Sequence, residues 1–571
     1  MLGPKAPKDA QKKRPGYYIM REKEIAFAPK EDGSGVCYIY ENDGRLLSAS
    51  RLVGNISDEG MLDMLKTTQD FRKLVHSIGV TVDMENPESD VTFVLQMYGI
   101  KSVYESGTSI EAPIHADGME YILDLNEVEW TGDDKEPGQI RFEYVKSAIK
   151  AHVSVKFYLN DGFTAPEPEE IRPVDTESAE YQKIIEKSLY FKGNNYRVKK
   201  AIEKARKGEQ TTVAFIGGSI TQGAGAVPIN TGCYAYKTFE GFCALTGRGV
   251  QDNVQYIKAG VGGTPSEFGM LRYQREVVDE CEGEGPDLVV VEFAVNDEGD
   301  ETKGECFESL ARKIYDGPGK PAVIFIFAVF ANDWNLCERL APVGKNYSIP
   351  IVNTLDSVVE QFKLPVNSGR VISKSQYFYD MYHPTNYGHT IMADGIINLL
   401  KIMDKDSEDE EIVSLKDYKT VYGCEFENVE LLDKLVNNCG AVINCGNFTE
   451  EDKVLQYVER NLNLHGTPEL TGNWMHPSSD RSNTPFSMDV KCSALLLIFK
   501  DSAENITGKA DIFVDGTLVL SADPHEVGWT HCNPVIILRA AENKVHHVEI
   551  KMAPGDEEKE FTILGFGVVS K

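Results

Sequence analysis

Residues 213–221 read VAFIGGSIT and bring a serine, Ser219, directly after an apolar run and two glycines. The run predicts a strand over 212–216 that is buried on both faces, as the strands of parallel sheets are. Glycines permit a tight turn, and α/β sheets hold their sites at the carboxyl ends of strands. Taken alone, the stretch is equally typical of a phosphate-cradling or structural turn. It is neither a G-x-S-x-G elbow, because Thr221 replaces the second glycine, nor a P-loop, because no Lys-Ser/Thr follows.

Further apolar runs follow this stretch and alternate with amphipathic segments. Their positions are 254–259, 288–293, 322–327 and 349–352, and a final helix is expected over about 386–403. Continuous apolar strands that alternate with helices predict an α/β domain with a parallel sheet, which we assign to residues 186–404.

The remaining sequence is strand-rich on both sides of this block, and 571 residues exceed what a single hydrophobic core holds. Residues 17–160 and 412–571 each predict a β-sandwich-like domain, the first with an added helix near 61–75. Residues 161–185 and the acidic residues 405–411 are expected to be linkers, and residues 1–16 a disordered tail. The strand predictions are 36–40, 91–97, 151–158, 494–499, 510–514, 535–538, 545–551 and 561–569.

The composition limits the classes of partner. Acidic residues number 89 against 59 basic ones, and the net charge of −30 repels nucleic acid and anionic membranes, although acidity also serves solubility alone. No uncharged apolar run approaches about 18 residues, so we expect no membrane span. The basic start lacks an apolar stretch, and the eleven cysteines form no C-x-x-C pair, so a cytoplasmic location is expected. A zinc site needs clustered ligands, and the sequence shows none, so no zinc site is expected.

Two more glycine-rich or polar stretches follow predicted strands. Residues 259–266 read AGVGGTPS, and the backbone N–H groups of such a loop can point at a developing oxyanion. Residues 289–297 read VVVEFAVND, where Asn296 offers an amide donor and Asp297 can hold the loop through backbone hydrogen bonds. Each of these stretches alone is also typical of an ordinary turn.

A final stretch, DMYHPTNYGH, spans residues 380–389 before the last helix. The spacing lets the carboxylate of Asp380 fold back to Nδ1 of His383, which would then present Nε2 to a serine. Pro384 keeps His383 on a loop, because proline does not continue a helix at that point. The competing base, His389, falls inside the predicted helix, where we expect it to pack or cap.

The four stretches, in this order, resemble the SGNH (GDSL-like) hydrolase family over residues 190–404. The resemblance implies a three-layer α/β/α domain, Ser219 as nucleophile, His383 as base and Asp380 as its orienting acid, with no cofactor. It also implies an oxyanion hole formed by the N–H groups of Ser219 and Gly263 and the side chain of Asn296. The sequence departs from the family in having Gly218 where an aspartate is common and Lys258 where an asparagine is common.

The sequence indicates the ester substrate less specifically than it indicates the catalytic residues. Flanking β-domains are frequent in the carbohydrate esterases of this family, and exposed aromatic side chains commonly stack on sugars. We therefore expect deacetylation of plant-derived oligosaccharides of the acetyl-xylan or acetyl-mannan type, with Trp334, Trp474 and Trp529 as candidate substrate contacts. The alternatives are a lipid or thioester hydrolase with the same triad and a glycan-binding protein with a vestigial esterase domain. A homo-oligomer is compatible with the sequence.

Overall fold

The computed structural model describes residues 14–30, 32–41, 44–250, 252–478 and 483–570, so residues 1–13 of the expected tail lie outside the described residues. The chain divides into two compact units. The smaller unit consists of Met1–Asp175, Gly225–Pro228 and Gln361–Gly388. The larger unit consists of Thr176–Ala224, Ile229–Glu360 and His389–Lys571. This division differs from the predicted domain scheme, because residues 361–388 of the expected α/β block group with the N-terminal part of the chain.

The smaller unit contains two antiparallel sheets. Its strands are β1 (Gly16–Ala26), β2 (Ala28–Pro29), β3 (Gly35–Glu41), β4 (Val75–Asp83), β5 (Val91–Gly99), β6 (Ser109–Ile114), β7 (Asp117–Asp124), β8 (Asp134–Tyr144) and β9 (Lys150–Leu159). The sheet orders are β1-β9-β4-β7 and β2-β3-β8-β5-β6. Alternate residues of β9, from Ala151 to Leu159, are buried, which is the period of two that one buried sheet face requires.

Three short helices complete the N-terminal core of this unit. They are α1 (Arg45–Leu52), α2 (Glu59–Asp63) and α3 (Thr68–Leu74), with a 3₁₀ turn at Met64–Lys66 between the last two. Thr67 precedes helix α3, and its hydroxyl accepts a hydrogen bond from the N–H of Asp70 and so caps the helix. The helix predicted near 61–75 is thus two helices and a turn.

The larger unit is built around a six-stranded sheet. Its strands are β10 (Leu189–Phe191), β11 (Thr211–Gly217), β12 (Val254–Gly260), β13 (Leu288–Glu292), β14 (Ala322–Phe327) and β15 (Ile351–Asn353), in the order β10-β15-β14-β13-β11-β12. All pairs are parallel except that of the edge strand β10 with β15. Every residue of β11, β13 and β14 is buried, which explains their continuous apolar sequence and confirms the predicted α/β class.

Helices connect these strands. Their bounds are Ala179–Lys187, Tyr196–Arg206, Ser219–Gln222, Tyr234–Thr246, Ser266–Tyr273, Glu305–Tyr315, Cys337–Asn346, Thr354–Phe362 and Asn386–Lys405, with a π-helical turn at Gln274–Val278 and a 3₁₀ turn at Asn296–Glu298. Because β12 lies on one side of β11 and β13 on the other, the strand order reverses at β11. A crevice is expected outside the carboxyl end of a strand at such a reversal.

An antiparallel sheet of eight strands follows in the C-terminal part of this unit. The strands of this region are β16 (Val429–Leu432), β17 (Val442–Asn444), β18 (Tyr457–Val458), β19 (Thr467–Pro468), β20 (Trp474–His476), β21 (Phe486–Asp501), β22 (Ala510–Val514), β23 (Thr517–Ala522), β24 (His531–Met552) and β25 (Phe561–Val569), of which β18 and β19 pair separately. The two predicted strands over 535–538 and 545–551 are parts of the single long strand β24.

The α/β block and this sheet share one hydrophobic core. On β21, Leu496 and Ile498 join the core that contains the helices of the α/β block, whereas Leu495 and Leu497 point into the core of the C-terminal sheet itself. Both faces of the strand are therefore buried. The acidic residues expected to be a linker are also packed: Asp409 accepts a hydrogen bond from the N–H of Asn195 at 2.9 Å.

Among the residues that the structure describes, no helix combines the length and the apolar character needed to cross a membrane.

Candidate active site

Ser219 lies at the carboxyl end of β11, where the strand order reverses, and begins the short helix Ser219–Gln222. Ser219 is 9% exposed. The carbonyl of Ser219 accepts hydrogen bonds from the N–H groups of Gly223 at 3.0 Å and Ala224 at 2.9 Å. The N–H of Gly218 donates to the carbonyl of Glu292 at 3.3 Å, which ties the serine turn to the end of β13. The predicted strand-to-turn arrangement is therefore present.

Gly218 allows the Asn296 side chain to approach the serine turn. A Cβ atom at position 218 would lie 1.9 Å from Oδ1 of Asn296, far inside contact distance. The departure from the family's common aspartate thus has a local reason, because the amide of Asn296 fills the space that a side chain would need. Asn296 begins the 3₁₀ turn after β13. Among the described residues its Oδ1 is buried without a hydrogen-bond partner.

Asp297 holds the adjacent loop, as the sequence predicts. Its Oδ1 accepts a hydrogen bond from the N–H of Ser266 at 2.7 Å, at the start of the helix that follows the second glycine-rich loop. Burial, reinforced by the neighbouring Asp300, raises the pKa of Asp297 well above its ordinary value. The third stretch is therefore linked to the second through a buried carboxyl.

The second glycine-rich loop lies against the serine turn and is held from two sides. A Cβ atom at Gly262 would lie 3.8 Å from the Cβ of Ser219. The N–H of Gly262 donates to Oε1 of Gln222 at 2.9 Å, and its carbonyl accepts from Nε2 of Gln456 at 2.8 Å. Gly263 has a φ of +74°, which favours glycine at this position.

Sequence reasoning did not find the two glutamines. Gln222 stands three residues after Ser219, where its proximity to the motif was the available signal. Gln456 carries no such signal, because its contact with the loop spans 194 residues of chain. Its Oε1 accepts from the N–H of Cys532 at 2.9 Å, so it connects the loop to strand β24.

An aromatic pair from the C-terminal sheet covers Gly263. A Cβ atom at Gly263 would lie 2.8 Å from Cζ2 of Trp529 and 3.1 Å from Cδ2 of His531. The two rings are 4.8 Å apart between centroids, and Trp529 is 38% exposed. Nδ1 of His531 is 2.8 Å from Oδ2 of the fully buried Asp501, which fixes the ring on which Trp529 packs. Trp529 therefore combines an exposed area with a rigid support beside the glycine-rich loop.

The other two tryptophans lie in different surroundings. Trp474 is 3% exposed and packs against Phe486 and Phe566 in the core of the C-terminal sheet, so its predicted substrate contact is wrong. The turn-like sequence around it is strand β20, which pairs with β25 and turns the ring inward. Trp334 is 41% exposed, and its ring packs edge-to-face on Phe330 at 5.3 Å.

Asp380 and His383 form a hydrogen-bonded pair in the smaller unit. Oδ2 of Asp380 lies 2.7 Å from Nδ1 of His383, while its Oδ1 accepts from the N–H groups of Tyr382 at 2.8 Å and His383 at 2.9 Å. Burial acts to raise the pKa of Asp380, but His383, the guanidinium of Arg45 and the N–H of Tyr382 outweigh it. These groups hold the pKa well below its ordinary value, so Asp380 is ionised.

His389 is not available as the alternative base. It is fully buried in the helix Asn386–Lys405, as the sequence predicts. Its Nδ1 accepts from the N–H of Tyr234 at 3.1 Å, and its Nε2 donates to the carbonyl of Ala224 at 3.1 Å. Both ring nitrogens are engaged, so this histidine packs between the serine turn and the helix that begins at Tyr234.

One buried group in the described part of the chain has metal-ligand chemistry. Ligand atoms of Glu267, Asp300 and Cys306 lie within 4.8 Å of one another. The carboxylate of Asp300, however, already accepts hydrogen bonds from both the N–H and the hydroxyl of Thr302 and from the N–H of Gly304. Burial and the nearby Asp300 raise the pKa of Glu267 to about 10, which keeps its carboxyl neutral. We interpret the group as a hydrogen-bonded core cluster.

The structure thus brings Ser219, Gly263 and Asn296 together in the larger unit and pairs Asp380 with His383 in the smaller one. The roles that the resemblance implies for these residues stay predictions. The pairing of His383 with Ser219 stays a prediction.

Comparison with known proteins gives a clear structural similarity. No protein-family model matches the chain, and no curated protein matches it. A crystal structure of a two-domain esterase active on acetylated mannans, co-crystallised with mannopentaose, matches with a TM-score of 0.56 and 27% identity, covering 68% of this chain and 98% of that one. A second crystal structure of a two-domain esterase active on acetylated mannans matches with a TM-score of 0.57 and 26% identity, covering the same 68% of this chain and 98% of that one.

The similarity agrees with the parallel sheet and the flanking antiparallel β-sheets. These findings support a carboxylic ester hydrolase that is similar to two-domain carbohydrate esterases.

Proposed function

We propose that the chain is an acetylesterase that removes acetyl groups from plant-derived oligosaccharides of the mannan or xylan type. The observation that carries this proposal is the exposed Trp529 packed over Gly263, because an aromatic face beside an oxyanion loop suits a sugar that bears an ester. The similar two-domain esterase, which is active on acetylated mannans, supports the same class of substrate.

The proposed reaction proceeds through an acyl-enzyme. Oγ of Ser219 attacks the acetyl carbonyl while Nε2 of His383 takes its proton, and Asp380 holds Nδ1 of the imidazole. The oxyanion that forms accepts hydrogen bonds from the N–H groups of Ser219 and Gly263 and from Nδ2 of Asn296. The C–O bond to the sugar breaks as His383 returns the proton to the leaving sugar oxygen.

Water then completes the reaction. His383 takes a proton from water as the water oxygen attacks the acetyl carbonyl, and the bond to Ser219 breaks with return of the proton to Oγ. The products are acetate and the free hydroxyl of the sugar.

The surroundings of Ser219 support a small acyl group. The loop beside the serine is formed by glycine, and the side chains that hold it, Gln222 and Gln456, are polar. A long acyl chain needs an apolar trench to remove its methylene groups from water, at about 0.8 kcal/mol for each buried methylene. Acetyl requires little such surface.

The test is acetate release from acetylated mannan, acetylated xylan and their oligosaccharides by wild type and by Ser219→Ala. We expect release by wild type and its loss in the variant. Acetyl and octanoyl p-nitrophenyl esters compared in parallel measure the acyl preference. Faster octanoyl hydrolysis would instead identify a lipid or thioester hydrolase. A folded wild type that binds mannan without releasing acetate would identify a vestigial esterase.

A further inference from the structure

The N-terminal sheets contact the loop that carries Asp380 and His383, and all of these groups belong to the smaller unit. Arg45 is the first residue of helix α1, and its Nε lies 3.5 Å from Oδ2 of Asp380. That oxygen is also the one that lies 2.7 Å from Nδ1 of His383. The side chain of Asp380 is 4% exposed and that of Arg45 is 27% exposed, so the pair is shielded from most of the solvent.

Two further contacts hold the same loop. Nζ of Lys23, on β1, lies 3.9 Å from the centroid of the Tyr379 ring. The hydroxyl of Tyr379 donates to the carbonyl of Ile39, on β3, at 2.5 Å. The loop before Asp380 is therefore fixed to two strands of the N-terminal domain, and Arg45 reaches the carboxylate itself.

We propose that Arg45 is a positioning residue for the acid–base pair, in which its guanidinium fixes the Asp380 carboxylate that orients His383. The N-terminal part of the chain then contributes to the ester hydrolysis by orienting the Asp380–His383 pair. This inference rests on the proposed function and extends it to helix α1, which lies outside all four sequence stretches.

The bonding of Asp380 explains why a cation matters there. Two backbone N–H groups occupy Oδ1, which leaves Oδ2 to His383 and Arg45. A carboxylate rotated away from His383 would lose its contact with Arg45 as well, so the guanidinium restricts the carboxylate to one orientation. Opposite charges at this distance interact strongly when they are partly buried.

The guanidinium also offsets the charge of Asp380. A permanent positive charge beside Oδ2 weakens the negative field of the carboxylate where that carboxylate faces the imidazole. Removal of the guanidinium leaves the charge of Asp380 unopposed next to His383. Arginine suits this task because it stays charged at every working pH.

Among the described residues, Lys23 interacts electrostatically with Asp380, and Cys37 interacts in turn with Lys23. Burial lowers the pKa of Lys23 to about 7, against the opposing attraction of Asp380, so its charge changes near neutral pH. Burial raises the pKa of Cys37 to about 12, so this thiol stays neutral. Of the three, only Arg45 contributes a constant charge.

The test compares the pH dependence of kcat and kcat/KM for acetyl ester hydrolysis in wild type, Arg45→Gln and Arg45→Lys. For Arg45→Gln we expect kcat to fall about 10-fold with KM within about twofold, because small displacements of a catalytic group are costly. The acid limb of its profile should move to higher pH by about half a unit to one unit. Arg45→Lys keeps the charge, so its acid limb should match wild type while kcat recovers in part.

A matched control is Arg51→Gln on the same helix. Arg51 pairs with Glu59 at 2.8 Å on the exposed side, and the substitution removes the same charge and the same side-chain type. We expect wild-type kcat and a wild-type acid limb. Thermal unfolding of each variant establishes that the compared proteins are folded, and Arg45→Met serves as a second neutral variant.

A readout without turnover separates this inference from the proposed function. In histidine-labelled full-length protein, the His383 imidazole resonance is assigned by its loss in His383→Gln and titrated by NMR. Its midpoint should be higher in Arg45→Gln than in wild type. If wild type hydrolyses no acetyl ester, the proposed function fails while this titration still decides the role of Arg45.

The proposal is overturned if Arg45→Gln keeps the kcat, the acid limb and the imidazole midpoint of wild type. It is also overturned if neither Arg45→Gln nor Arg45→Met folds, because Arg45 would then be a requirement of folding and no positioning residue.

Discussion

Gly218→Ala is the substitution whose effect the structure defines most sharply. The added Cβ would lie 1.9 Å from Oδ1 of Asn296, whereas real Cβ contacts essentially never fall below 3.0 Å. Oδ1 of Asn296 must therefore move by at least 3.0 − 1.9 = 1.1 Å, and because the amide is planar we expect Nδ2 to be displaced with it. Oxyanion donors act within a range of about 2.7–3.1 Å, so a shift of this size removes the hydrogen bond.

The expected consequence is a loss of transition-state stabilisation. Removal of one oxyanion-hole donor costs about 10²–10³ in kcat, equivalent to about 2.7–4 kcal/mol. KM should change little, because the donor acts on charge that is absent from the ground state. The assay is steady-state hydrolysis of p-nitrophenyl acetate by wild type, Gly218→Ala, Asn296→Ala and the double variant. The two single losses should not add, since both remove the same donor.

Gly299→Ala is the matched control in the same loop. The nearest atom to a Cβ at position 299 is the carbonyl oxygen of Asn296 at 3.6 Å, an ordinary contact. This variant should keep the kcat of wild type. A folded Gly218→Ala enzyme with kcat within about threefold of wild type would refute the assignment of Asn296 as a donor.

Three further predictions concern Trp529, Gln456 and Asp380. Trp529→Ala should raise the KM for acetylated mannooligosaccharides about 5- to 10-fold and leave the KM for p-nitrophenyl acetate unchanged. Trp334→Ala, at another exposed tryptophan, is the comparison variant. Equal effects of Trp529→Ala on both esters would contradict a stacking role. Gln456→Ala should lower kcat about 10-fold, because the carbonyl of Gly262 loses its hydrogen-bond donor and the second glycine-rich loop becomes less rigid. An unchanged kcat would show that this loop is rigid without Gln456. Asp380→Asn should lower kcat by up to about 10⁴-fold. The pKa of Asp380 is lower in the fold than in the unfolded chain, so its carboxylate stabilises the folded protein above about pH 4, and this contribution is lost as the pH falls. The difference in free energy of unfolding between wild type and Asp380→Asn, measured with urea, should therefore become smaller in acid. A difference that does not change with pH would contradict the ion pair.

Local sequence was sufficient for the α/β block because its strands are buried on both faces. The run over 322–327 coincides with β14, and the run before Ser219 lies within β11. An apolar strand of this kind needs no knowledge of its partners to be recognised. The pairing of Asp380 with His383 was also predictable from local sequence, because a separation of three residues brings the carboxylate to Nδ1.

Contacts between distant parts of the chain were decided by the tertiary structure alone. Gln456, Trp529 and Arg45 each act on a motif that lies far away in sequence, and no spacing rule connects them to it. Trp474 and Trp529 both stand in turn-like sequence, yet strand pairing buries one in a core and leaves the other exposed over Gly263. Spacing along the chain determines which groups can meet locally, whereas the packing of sheets against loops determines which distant side chains reach the serine turn and the Asp380–His383 pair.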